Sequence, residues 1–140
     1  MSTPPINRES ITTLLVRLKT DEQPLLFILL DQDGTLNRLG TGFDTSRNDM
    51  VIRTTPEDLL ARLRPLIDPA LLRFSGRLRA AELAGQTCEL ALGFRWPGGE
   101  TTVEFVFGTE SMGPPEAALR LVAAAMAVTD PWYTEPAQRF

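Results

Sequence analysis

The chain has no histidine and a single cysteine, Cys88. The first absence removes Ser-His-Asp and Cys-His catalysis, histidine metal sites and the usual proton shuttle near neutral pH. The second removes an internal disulfide and a thiolate zinc site. Lysine occurs once, at Lys19, and the net charge is −4 with a pI near 4.8. A nucleic-acid partner is therefore not expected, because phosphate binding depends on clustered cations. The longest apolar run, Leu25 to Leu30, falls far short of the roughly 20 residues that a membrane helix needs. The N-terminal Met-Ser-Thr-Pro-Pro carries no basic flank or apolar core for export, so a cytoplasmic location is expected.

What is present is an ordinary globular composition, 43% hydrophobic and 23% charged over 140 residues. That length suits one domain, 1–140, which buries about 70% of its unfolded surface; residues 131–140 read as a C-terminal tail. No metal site and no cofactor are expected.

The chain is organised around Leu25 to Asn37, an apolar run that ends in Asp31-Gln32-Asp33-Gly34-Thr35-Leu36. Asp-Gly between apolar strands is the signal of a two-residue hairpin turn, because both central residues take positive φ. Turning there sets Leu30 opposite Asn37 and Ile28 opposite Leu39. The same residues resemble the first motif of the haloacid dehalogenase superfamily, phosphotransferases with a Rossmann-like sheet. The resemblance implies Asp31 as nucleophile, Asp33 as acid/base and Mg²⁺ bridging carboxylate and phosphate. Its later parts have no counterpart: Lys19 lies upstream of the motif and Glu57-Asp58 sits at a helix start. The second half also reads as hairpins instead of strand–helix–strand crossovers. The hairpin is the preferred reading, with a Mg²⁺-dependent phosphohydrolase as the alternative.

In chain order, Ile11, Leu14, Leu15 and Leu18 have the spacing of an amphipathic helix over Asn7–Leu18. Leu25–Leu30 is a strand with two apolar faces, paired with Thr35 to about Gly40. A polar loop over 41–49 and a short strand near Val51 follow. Thr55-Pro56-Glu57-Asp58 opens a helix whose buried stripe is Leu59, Leu60, Leu63, Leu66 and Ile67. From Leu72 the period becomes two, through Phe74, Leu78, Cys88, Leu90, Leu92, Phe94, Val103, Phe105 and Phe107, which predicts a meander with one apolar face and Cys88 in the core. A four-residue loop at Pro97-Gly98-Gly99-Glu100 sets Leu92 opposite Phe105. Glu116–Val128 is the last helix, ended by Asp130-Pro131.

The expected fold is α+β: an antiparallel sheet of about five strands with two or three helices mainly on one face, in the order α-β-β-α-β-β-β-α. That register sets Arg73 opposite Arg95, with Arg77 on the same face. Like charges across a ladder are unfavourable by up to about 1 kcal/mol, so an acid must compensate them: either Glu104 of the chain itself or a bound acidic group. Trp132, Tyr133 and Phe140 either fold back over an apolar sheet face or anchor an interface. The function expected is a small, bacterial-type, non-catalytic binding or adaptor module. Its partner is a protein, an acidic ligand or a second copy, met by Arg73, Arg77, Arg95, Trp132 and Tyr133.

Overall fold

Leu14, Val16 and Leu18 alternate with Leu15, Arg17 and Lys19, and this period of two overrides the helical spacing of the same stretch. Thr13–Thr20 is a strand, β1, preceded only by a 3-10 turn at Arg8–Ser10. The expected N-terminal helix is therefore corrected. Leucine at both Leu14 and Leu15 satisfies a helix stripe and a two-faced central strand equally. The β-branched Thr13 and Val16, and two free neighbouring ladders, favour the strand.

A computed structural model describes residues 7–41, 50–111 and 113–134. The remaining strands are β2 (Gln23–Asp31), β3 (Thr35–Leu39), β4 (Val51–Thr54), β5 (Gly76–Arg79), β6 (Thr87–Trp96) and β7 (Gly99–Gly108). They form one seven-stranded sheet in the order β4-β3-β2-β1-β6-β7-β5. Every neighbouring pair is antiparallel except β5 and β7, which run parallel. Two α-helices complete the described fold, α1 (Leu59–Leu63) and α2 (Glu116–Thr134). The fold is α+β as expected, but the sheet is mixed and has seven strands in place of about five antiparallel ones.

Leu14, Val16, Ile28, Leu30, Leu36, Leu92 and Phe94 point to one face, where α1 and α2 bury them at 1% exposure or less. Each such aliphatic side chain contributes roughly 1.5–3 kcal/mol on leaving water. Cys88, 6% exposed, belongs to this face as the period predicts. Helix α1 is shorter than expected: Asp58 caps it by accepting from the Ala61 N–H at 3.1 Å, and 3-10 turns at Arg64–Leu66 and Pro69–Arg73 follow. Helix α2 is longer, running past Asp130-Pro131 to Thr134, with Trp132 packed against the core.

Two registers differ from expectation, with different consequences. At β6–β7 the turn is the tighter Pro97-Gly98, with Gly98 at φ +96°, and Leu92 meets Val103 instead of Phe105. A slip of two keeps every side chain on its face. At β2–β3 the strands end at Asp31 and Thr35, so Gln32, Asp33 and Gly34 form a three-residue loop and Leu30 meets Leu36. A slip of one turns the whole strand over. Leu36 and Arg38 now face the core, while Asn37 and Leu39 face away from the helices.

The polar stretch expected at 41–49 lies, from residue 42 on, outside the described residues, as do Phe140 and the side chain of Tyr133. Among the described residues no helix is long and apolar enough to cross a membrane.

Candidate functional site

Asp31 ends β2 and Asp33 sits on the loop that follows, and their oxygens serve the turn. Asp31 Oδ2 accepts from the Thr13 hydroxyl at 2.7 Å and its Oδ1 from the Asp33 N–H at 3.0 Å. Asp33 Oδ1 accepts from the Thr35 N–H at 2.8 Å. The Thr35 hydroxyl, then the Thr35 backbone N–H, hold the Asp33 carboxyl below its ordinary 3.8 by stabilising the charged form. Beyond Thr35 the chain returns antiparallel in β3, where the phosphotransferase resemblance implies a helical crossover. No group of three or more His, Cys, Asp and Glu side chains is placed to hold a metal ion among the described residues.

The arginines expected to share one face are dispersed. Arg73 ends the 3-10 turn before β5, and β5 pairs with β7 instead of β6, so Arg73 does not stand opposite Arg95. Arg95 lies across from Thr13 and binds Glu100 at 3.0 Å, with both side chains 67% exposed. Arg77 lies across from Glu104 and reaches it at 2.9 Å and Glu89 at 3.6 Å; Arg17 approaches Glu104 at 3.7 Å. The compensating acids thus come from the chain itself, as they do when an exposed face neutralises its own charge. Trp132 does not belong to a tail: it lies within α2 and packs against the core from there.

The other half of this helix-free face has a different character. One lateral row runs Gly93, Leu15, Leu29, Asn37, Ile52 across β6, β1, β2, β3 and β4. The next row holds Phe27 against Leu39. Leu15, Phe27, Leu29 and Leu39 are partly exposed, and Ile52 is 67% exposed. Glycine at 93 leaves a dent beside Leu15 and Leu29, a cavity of about 90 Å³ bounded by Thr13, Arg95 and Thr102. In the middle of the row, Asn37 Oδ1 is shut off from water and has no hydrogen-bond partner among the described residues. Such an acceptor is uncommon in a folded protein and costs about 1–3 kcal/mol.

Behind Asn37, on the helix side, Arg38 is 1% exposed. Its Nε donates to the Gly40 carbonyl at 2.9 Å, and its Nη1 to Met126 O at 3.2 Å, to Thr129 Oγ1 at 2.8 Å and to Asp130 Oδ1 at 2.8 Å. One guanidinium thereby fixes the last turns of α2 to β3. Sequence reasoning missed both Asn37 and Arg38, because the face each side chain takes depends on whether the loop before them has two residues or three. A larger concavity, about 710 Å³, lies at the far end of the sheet between Leu18, Leu25, Cys88 and Phe107. Its polar rim is internally bonded: Asp21 Oδ1 accepts from the Thr87 N–H at 3.1 Å, and the Thr20 hydroxyl meets Cys88 Sγ at 3.5 Å.

The chain matches no protein-family model, curated protein or solved structure.

Proposed function

We propose that the protein is a non-catalytic binding module whose helix-free sheet face receives a protein partner on the half formed by β1 to β4. The observation that carries this reading is the row Leu15, Leu29, Asn37, Ile52, in which apolar side chains flank a buried acceptor that has no donor among the described residues. A partner of matching chemistry brings an aliphatic side chain for the dent at Gly93 and, with the Asn37 amide turned outward, an N–H or O–H for its oxygen, surrounded by apolar contact. Arg77 and Arg95, which have acids of their own, serve solubility and orientation at the rim.

Cross-linking in lysate of the source cells, read by mass spectrometry, tests it. A protein captured by wild type and by Arg77→Glu, but lost with Leu15→Asp, Leu39→Asp and Asn37→Leu, is the expected result. Asn37→Leu also removes the unsatisfied acceptor and raises stability by about 1 kcal/mol, so loss of capture there is not loss of fold. Capture that needs Arg77 and ignores Leu15 and Leu39 overturns the reading.

A further inference from the structure

The two edges of the sheet are unlike. β5, Gly76–Arg79, carries Arg77 and Arg79, the charged guards that keep an edge strand from pairing with another chain. β4, Val51–Thr54, has one charge, Arg53, on the helix side, and it exposes Ile52 at 67% with Met50 beside it at 41%.

The hydrogen bonding of β4 shows which way its backbone faces. The Thr55 N–H donates to the Gly34 carbonyl at 2.9 Å, in line with the register that sets Leu36 opposite Arg53 and Arg38 opposite Val51. In an antiparallel ladder, residues that exchange bonds alternate with residues that do not. Arg53 and Val51 therefore spend their N–H and C=O groups on β3, and those of Ile52 and Thr54 point outward from the edge. These outward groups make no hydrogen bond among the described residues.

We propose that this edge pairs with the same edge of a second copy of the chain, antiparallel about a two-fold axis normal to the sheet. The register that satisfies the outward groups sets Ile52 of one copy opposite Ile52 of the other, and Thr54 opposite Met50. Apolar then meets apolar, and no like charges face each other. The two sheets become one, twice seven strands wide. The row Leu15, Leu29, Asn37, Ile52 continues into its own symmetry mate, so the surface assigned above to a partner is doubled. In that respect the proposal rests on the binding reading, although the pairing itself does not. A four-residue edge makes a small interface, so the dimer is weak and forms with rising concentration.

Analytical ultracentrifugation tests it. Wild type is expected to shift from monomer to dimer as concentration rises. Ile52→Pro removes an N–H that β3 does not use, so it keeps the fold by circular dichroism and stays monomeric. Should that variant unfold, Ile52→Lys retains the N–H but sets two ammonium groups against each other across the axis, and is expected to be monomeric as well. Leu15→Asp, three strands away, dimerises like wild type; if it loses the cross-linked partner, the two readings are separated. A wild type that stays monomeric at every concentration overturns the proposal, as does a dimer indifferent to both Ile52 variants. A monomer whose β4 amides gain exchange protection only with a captured protein also overturns it, giving the edge to that protein instead.

Discussion

Arg38 shows how much of this fold hangs on one side chain. Its guanidinium binds two backbone carbonyls, a threonine hydroxyl and a carboxylate, drawn from the end of β3 and the end of α2. Arg38→Ala removes all four bonds and leaves a cavity in their place, and we expect a loss of roughly 3 kcal/mol or more in urea unfolding. Arg38→Lys is expected to recover little, since an ammonium cannot spread its donors in the plane that these acceptors occupy. A lysine variant as stable as wild type would refute this role. Nothing in the sequence marks the residue: a lone arginine in a short strand looks like a solvated one, and Asp130 is 92 positions away.

Loops decided which parts of the individual elements were legible in the sequence. The alternation of Cys88, Leu90, Leu92 and Phe94 identifies the inner face of β6 whichever turn follows, because the tighter Pro97-Gly98 turn slips the register by two. The Asp33-Gly34 signal identifies a hairpin but not its loop length, and the single residue of difference decides whether Arg38 or Leu39 is inside. Gly34 makes the longer loop possible. It sits at φ +97°, its carbonyl accepts from the Thr55 N–H, and a Cβ there would overlap the Thr55 carbonyl oxygen. Gly98 has the same φ sign with nothing near its Cβ position. Gly98→Ala is therefore expected to cost about 1 kcal/mol for the strained φ alone, and Gly34→Ala at least twice that. Equal costs in chemical unfolding would show that β4 is not seated by this contact.

At the scale of the whole molecule one misread element displaced several others. With Asn7–Leu18 taken as a helix, β6 has a free side, and the nearest strand in sequence, β5, fills it as a hairpin. In the fold β1 holds that side, so β5 passes beyond β7 and runs parallel to it, and Arg73 is separated from Arg95. On this face Arg17, Arg77 and Arg95 each lie beside an acid of the chain itself. Association through the β1–β4 half is thus expected to persist when salt rises from about 0.05 M to about 0.5 M, which screens exposed charges. Sedimentation and cross-linking at the two concentrations check this, and an association that salt dissolves would return the arginines to the centre of the interface. The tether between β3 and α2 also sets an order of events at the ribosome. The strand that carries Arg38 emerges long before Thr129 and Asp130 are translated, so the bonds that join these two elements form only after the last helix is made. Closure of the core is thereby postponed to the end of synthesis.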